Sequence, residues 1–271
     1  MSDTQPASEP SRSFGSVAEA YHRGRPSYPV AAVEWLLGAQ PRIVLEQGAG
    51  TGKLTAVMVD AGHAVHATEP DPAMLEILQR EVPGCSSKQA DAEDVPANDN
   101  SVDVVVVAQA FHWFDHERAL AEIARILRPD GHLAVVWNSP DLRIPWVRRL
   151  FHLLGNPDQN VSSIEHLVDS PLFGPVEEQT FSSWQDVNRE SIVDLALSRS
   201  TIATLDASAR ADRLAQVVAL YDTYGRGMDG MQIPYRVRCF KAAVVQPPAN
   251  TSPPSTTLAA PEDESADPLP D

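Results

Sequence analysis

Val44-Leu45-Glu46-Gln47-Gly48-Ala49-Gly50-Thr51-Gly52 is the stretch that decides the fold. Three glycines at alternate positions follow the short apolar run Ile43-Val44-Leu45. Residues 53–61 then set Leu54, Val57, Met58 and Ala61 at helical spacing. A buried strand that turns through glycines into a helix is the repeating unit of a parallel sheet with crossover helices. In such sheets ligands lie beyond the carboxyl ends of the strands. Glycine there admits positive φ and lets the backbone approach a ligand closely. Glu46, Gly48, Ala49, Gly50 and Gly52 are therefore candidate ligand-contacting residues.

Working outward, residues 63–68 read as the second strand. Asp71-Pro72, an N-cap with proline at the first helical position, opens a helix through Met74, Leu75 and Leu78. Residues 102–108 (VDVVVVA) form a near-continuous β-branched run, as expected of a strand covered on both faces. Asp115 caps a helix carrying Leu120, Ile123 and Leu127, which Pro129 and Gly131 stop. Residues 133–137 make the next strand, so the body to about 138 is a doubly wound α/β sheet. Beyond Asn138 the pattern loosens: 176–184 and 235–245 read as strands, and 191–224 as helical, with Leu214, Val217, Val218 and Tyr221 on one face. One α/β domain over 13–246, with a helical insertion at about 190–230, is the expected organisation.

Residues 1–12 and 247–271 are expected to be disordered, the latter rich in proline and acid and without lysine, arginine or aromatic residues. The formal net charge is −16, of which the tail's Glu262, Asp263, Glu264, Asp267 and Asp271 supply only part. An acidic body repels phosphate backbones, which argues against nucleic acid as a partner. Cys85 and Cys239 lie far apart and suggest no disulfide framework. No signal peptide and no apolar run near the roughly 18 residues of a membrane span is present. A soluble cytoplasmic protein, with no membrane partner, is the expectation. Oligomeric state is not legible.

Glu69 stands 21 residues after Gly48, at the end of the second strand. A carboxylate there can accept both ribose hydroxyls, so the ligand is an adenosine-containing cofactor. A dinucleotide fingerprint spaces its glycines G-x-G-x-x-G and holds pyrophosphate at the helix N-terminus. Here the third glycine comes one place early, at Gly52, with Lys53 in its stead. Glu46 would repel a pyrophosphate and suits the cationic amino-acid end of S-adenosylmethionine (SAM). An ordinary packing turn is the bland alternative, and Glu69 at its spacing weighs against it. Two other classes stay open: an NAD-dependent oxidoreductase, and a non-catalytic protein that binds SAM or a partner.

The run VLEQGAGTGKLT resembles the first motif of the class I SAM-dependent methyltransferases, with Glu46-Gln47 where Asp-Leu is usual. Residues 67–75 (ATEPDPAML) look like the second-strand motif, and 91–96 (DAEDVP) like the adenine-side motif. Arg128-Pro129-Asp130-Gly131 matches the turn before the fifth strand. Gln109-Ala110-Phe111-His112-Trp113-Phe114-Asp115, with FGSVAEAYHRGRPSYP at 14–29, is similar to the type-11 subgroup that includes trans-aconitate methyltransferase-like proteins. The resemblance covers 14 to about 138 and implies a Rossmann-like, mostly parallel seven-stranded sheet whose last strand is antiparallel. It implies SAM as cofactor, held by Glu46, Gly48, Ala49, Gly50, Gly52, Glu69, Pro70, Met74, Asp91, Ala92, Gln109 and Phe111, with Tyr21 and Arg25 folding over it from the N-terminal segment. The acceptor implied is a small molecule, such as a carboxylate, phenol or heterocycle.

Several of these residues have plainer readings. Phe111, Trp113 and Phe114 can be core residues, with one of them bordering the methyl-transfer site. Asp91 can be a turn or N-cap residue. Tyr21 and Arg25 can be packing and surface pairing. His112 is the candidate catalytic residue, as a base or a positioning donor, and it can equally hold its loop in shape. The remaining histidines form no metal-binding spacing, so no metal is expected.

Overall fold

In a computed structural model of the chain, residues 18–155, 160–225 and 231–245 are described. The ends expected to be disordered, and residues 226–230 of the expected insertion, lie outside them.

The strands β1 (Ile43–Gln47), β2 (Ala64–Thr68), β3 (Ser86–Lys88), β4 (Val102–Ala108), β5 (Leu127–Pro140), β6 (Glu177–Val187) and β7 (Met231–Ala243) form one sheet in the order β3-β2-β1-β4-β5-β7-β6. Pairing is parallel from β3 through β5, and β7 runs antiparallel to both of its neighbours. This is the mixed, doubly wound sheet with an antiparallel last strand.

Helices α1 (Ala18–Gly24), α2 (Val30–Leu37), α3 (Lys53–Asp60), α4 (Pro72–Glu81) and α5 (His116–Ile126) accompany the first five strands. Side chains alternate across each strand, so β4 and β5 feed two cores. Val104, Val106, Ala134 and Val136 pack with Leu36, Leu54 and Met58 of α2 and α3. Val105, Val107, Leu133 and Val135 pack with Leu120, Ile123 and Ile126 of α5. Val104 through Val107 are all fully buried, which explains why the run does not alternate with polar residues. Asp71 caps α4 by accepting from the N–H groups of Ala73 and Met74 at 2.8 and 3.1 Å.

After β5 come α6 (Pro145–Leu153) and α7 (Ile164–Val168), and the insertion between β6 and β7 holds α8 (Ser191–Leu197), α9 (Ser200–Ala203) and α10 (Ala207–Tyr224). A third core joins Leu150 and Phe151 of α6, Ile192 and Leu195 of α8, Val217 of α10 and Tyr235 of β7. Several boundaries differ from the sequence reading: Leu127, read on the helix, opens β5, β6 runs on to Val187, and the stretch 191–224 read as helical divides into α8, α9 and α10. Residues 128–131 do not end the pairing: β4 opposes Leu127 with Val102 and His132 with Val104, and the residues between loop out as a bulge. β7 begins at Met231, four residues before the expected start at 235, because Met231 and Ile233 bury against the insertion.

Candidate active site

The glycine turn builds the site from backbone. Gly48, Gly50 and Gly52 have φ of 65, 57 and 82°, all left-handed. A Cβ on Gly48 would sit 2.7 Å from the Cβ of Ala110, so the loop after β4 can close down on the turn only over glycine. A Cβ on Gly50 would meet nothing within 4 Å, because its face opens onto the cleft. Gly52, expected at the ligand, instead backs onto Leu78 and Val82 as the N-cap of α3 and does not line the cleft.

Glu69 follows β2 with its carboxylate anchored at both oxygens. Oε2 accepts from the Gly50 N–H at 2.8 Å and Oε1 from the Asp71 N–H at 3.0 Å. Burial raises its pKa, and those two bonds work against the rise. Glu46 is fully buried, and Thr55 Oγ1 donates to its Oε2 at 2.5 Å. Its Oε1 has no hydrogen-bond partner, and burial pushes its pKa up to about 8.

Two lobes of about 140 and 150 Å³ share Tyr21, Gly48, Gly50, Ala108, Gln109 and Trp113 as walls. The first adds Glu69, Pro70, Met74, Asp91 and Ala92, and the second adds Arg25, Tyr28, Glu46, Ala49, His112 and Asn138. Asp91 is exposed at the rim, and its carbonyl accepts from the Asp94 N–H at 3.4 Å, so it is both a turn residue and a lining residue. The Ala92 carbonyl accepts from Gln47 Nε2 at 3.2 Å, which ties the adenine-side segment to the end of β1.

Gln109 holds φ of 59°, a conformation that costs a non-glycine residue on the order of 1–3 kcal/mol. Its N–H donates to the Val136 carbonyl and its Nε2 to the Asn138 carbonyl, at 3.0 and 2.8 Å, and these hold it there. The next residues form a 3₁₀ turn, Phe111–Trp113, that sends successive side chains to different sides. His112 and Trp113 face the cleft. Phe111 does not. It is fully buried in the core, edge-on to Trp137 and His116 at 6.4 and 4.9 Å, which corrects its expected place at the cofactor.

Tyr21 and Arg25 do lie over the cleft. The Arg25 guanidinium stands 4.8 Å from the Tyr21 ring centroid, and its Nη2 donates to the Ser198 carbonyl at 3.1 Å. Gln185 Nε2 donates to the Gly24 carbonyl at 2.8 Å, and the Arg23–Asp194 pair closes at 2.9 Å, so α1 is strapped to β6 and α8. A Cβ on Gly24 would lie 2.5 Å from the Asp194 backbone, so only glycine permits that approach.

Sequence reading missed Tyr28, Thr55, Phe151, Leu195, Arg199 and Tyr235. All but Thr55 line the second lobe. Thr55 carried a usable signal, as a polar residue beside Leu54 on the buried stripe of α3. Tyr28 lies within the 14–29 stretch that resembles the subgroup, and Phe151, Leu195, Arg199 and Tyr235 come from segments without a motif. Among the described residues no helix is long and apolar enough to cross a membrane, and no group of three or more His, Cys, Asp or Glu is placed to hold a metal ion.

Comparison with known proteins agrees with this geometry. A methyltransferase domain model matches residues 45–135. An uncharacterized methyltransferase of Mycobacterium tuberculosis is 41% identical over 237 residues, covering 86% of this chain and 96% of its own. One from Schizosaccharomyces pombe is 30% identical over 83% of this chain and 94% of its own. The solved structure of a provisionally assigned type II methyltransferase from Anaeromyxobacter dehalogenans superposes with a TM-score of 0.62 at 26% identity, over 81% of this chain and 97% of that one. The chain belongs to the class I SAM-dependent methyltransferases, and its cofactor is SAM. That membership sets aside the NAD-dependent reading.

Proposed function

We propose that the chain methylates a small-molecule acceptor, with adenosine in the Glu69 lobe and the methionine end of the cofactor, followed by the acceptor, in the Glu46 lobe. One observation carries this: two buried carboxylates flank the Gly48–Gly50 turn, and each offers what one end of the cofactor needs. Glu69 is fixed by two backbone N–H groups and keeps lone pairs for ribose hydroxyls. Glu46 keeps a buried Oε1 without a donor, which an ammonium would satisfy. Each lobe alone is below the roughly 300–1,000 Å³ usual for a pocket that takes a whole ligand, so the cofactor spans both.

When bound, SAM supplies a methyl carbon activated by a sulfonium. The chain's own groups orient and exclude water. Asp91 at the rim suits the exocyclic amine, with Pro70, Met74 and Ala92 beside the base and Tyr21 over the cleft. Arg25 is set for the amino-acid carboxylate, and Gly48, Ala49 and Gln109 hold the bend between the lobes. Trp113 and Tyr28 keep the reacting end apolar. Holding two reactants in line is worth several kcal/mol of barrier. His112 takes the proton of a phenol or alcohol acceptor, or positions a carboxylate by donating to it.

The acidic charge disfavours nucleic acid, and the two free cysteines suit the cytoplasm. Calorimetry tests the reading: micromolar binding of SAM and S-adenosylhomocysteine, with negligible binding of NAD, is expected. Tighter binding of NAD than of SAM would sink it. A screen of small acceptors with labelled SAM then identifies the methylated class.

A further inference from the structure

We propose that Arg125 and Glu122 are positioning residues for the cofactor. From the last turns of α5 they fix the 91–97 segment, so that its cleft end selects a 6-amino purine over a 6-oxo one. This rests on the methyltransferase reading and deepens its cofactor side.

The Arg125 guanidinium makes five hydrogen bonds, one for each N–H it carries. Nε donates to Glu122 Oε2 at 2.8 Å and Nη2 to Glu122 Oε1 at 2.7 Å, a forked pair one helical turn apart. The other three bonds leave the helix for a single loop. They reach the Val95 carbonyl at 3.3 Å, the Ala97 carbonyl at 2.9 Å and Asp99 Oδ1 at 2.5 Å. The Asp99 side chain is 69% exposed, so that pair adds little, and the two carbonyl bonds place the loop. Glu122 Oε1 also accepts from the Val95 N–H at 2.9 Å, so the two side chains grip both backbone groups of Val95. Hydrogen bonding from Arg125 holds the Glu122 carboxyl below its ordinary range, which keeps the pair charged.

The rest of the segment is fastened along the same helix. Val95 buries its side chain against Leu120 and Ile123 of α5. Glu93 Oε1 accepts from the Asp115 N–H at 2.8 Å, at the helix start, and the Ala92 carbonyl is held by Gln47. Residues 93–97 therefore run beside α5 from its first turn to its last. Asp91 and Ala92, which face the adenosine lobe, lie just beyond this fastened stretch. Asp91 is exposed, and its carbonyl's bond to the Asp94 N–H is long at 3.4 Å, so its carboxylate takes its place from the residues that follow. Adenine presents an amine where hypoxanthine presents a carbonyl. A carboxylate held in place accepts from the amine and repels the carbonyl, whereas one free to swing away does neither. Choice between the two bases thus depends on how firmly the loop is held. Total affinity rests chiefly on the ribose and amino-acid contacts.

The test is calorimetry on full-length protein with S-adenosylhomocysteine and S-inosylhomocysteine, which differ only in the base. The parent should bind the adenosyl ligand about tenfold or more tighter, the worth of a hydrogen bond to a charged group. Arg125→Gln should shrink that ratio to about threefold or less, mainly by weakening the adenosyl ligand. Arg125→Lys keeps the charge but not the fork, and its ratio should fall between. If Arg125→Gln does not fold, Glu122→Gln decides on the same ratio: its amide oxygen still accepts from Val95, but the forked pair is lost. A parent ratio near one would overturn the proposal, because the loop would then not read the base. So would variants that keep the parent ratio, whether both affinities hold or fall together, since Arg125 would then only stabilise the fold. Failure of S-adenosylhomocysteine to bind the parent is a different result, and it overturns the cofactor reading beneath.

Discussion

The two edges of the cleft are made in different ways. On the cofactor side the contacts are contiguous and largely backbone: the turn after β1, the anchored Glu69 after β2, and the 91–92 segment tied back to Gln47. On the acceptor side they are side chains from α1, α6, α8, the α8–α9 junction and β7, of which α6, α8 and β7 are joined by the third core. The family model spans 45–135, which is the cofactor side. Under the proposed reading, chemistry common to the family is fixed by local turns, and selection of the acceptor falls to packing between distant segments. If that division holds, substitutions on one side should move cofactor binding alone, and those on the other should move acceptor use alone.

His112 sits at the boundary, and its substitution has the largest expected effect. As a base, His112→Gln should lower turnover by roughly 10²–10⁴-fold and erase the acidic limb of the pH–rate profile. As a positioning donor, the same change should chiefly weaken acceptor binding, since the amide still donates. SAM affinity should hold in either case. If turnover, acceptor affinity and pH profile are all unchanged, His112 only shapes its loop.

Glu46 provides a pH test on the cofactor side. Its pKa is pushed up to about 8 by burial, against an unfolded value of 4.5. Between those values the folded chain holds a proton that the unfolded chain releases. Its contribution to stability is therefore greatest below about 4.5 and falls until about 8, with a slope of up to about 1.4 kcal/mol per pH unit. Glu46→Gln cannot titrate, so its stability should decline less with rising pH than the parent's across that window. His22, His116 and His132 are lowered by burial and act in the opposite sense, so the difference between the two urea-unfolding profiles is the quantity to measure. Parallel profiles would mean that Glu46 is ionised in the folded protein.

The sequence was readable where physics is local. Strand β4, the Asp71 cap and the glycine turn each depend on neighbours within a few residues. The acceptor side depends on separations such as Tyr21 to Tyr235, and nothing at Phe151 or Arg199 announces a partner that far away. Helix α6 was missed although its signal is local: Pro145 opens it, and Val147, Leu150, Phe151 and Leu154 stand at helical spacing before α8 and α10 cover them.

On the cofactor side, Glu69→Ala should weaken SAM by roughly 1.5–3 kcal/mol, the worth of hydrogen bonds to a charged group. It also leaves the Gly50 and Asp71 N–H groups without their partner, so a modest loss of thermal stability should accompany it. Acceptor KM, measured at saturating SAM, should not move. Calorimetry returning the parent affinity would mean that Glu69 braces the turn and does not hold the ribose.

The smallest expected effect falls on Phe111, where the sequence reading and the structure part. The motif placed its ring at the cofactor, but the 3₁₀ turn sends it into the core beneath, against Trp137 and His116, with no exposed surface. Phe111→Leu keeps an apolar side chain in a tightly packed site and loses part of the ring volume, at a cost of about 1 kcal/mol in stability. Leucine restores none of the edge-on ring contacts, so the loss should appear in urea unfolding as a lower midpoint at unchanged slope. SAM affinity should stay within about twofold, because no atom of the ring reaches either lobe. A cofactor defect larger than the stability defect would mean that the ring touches the cofactor after all, and that the loop after β4 turns over when the site fills.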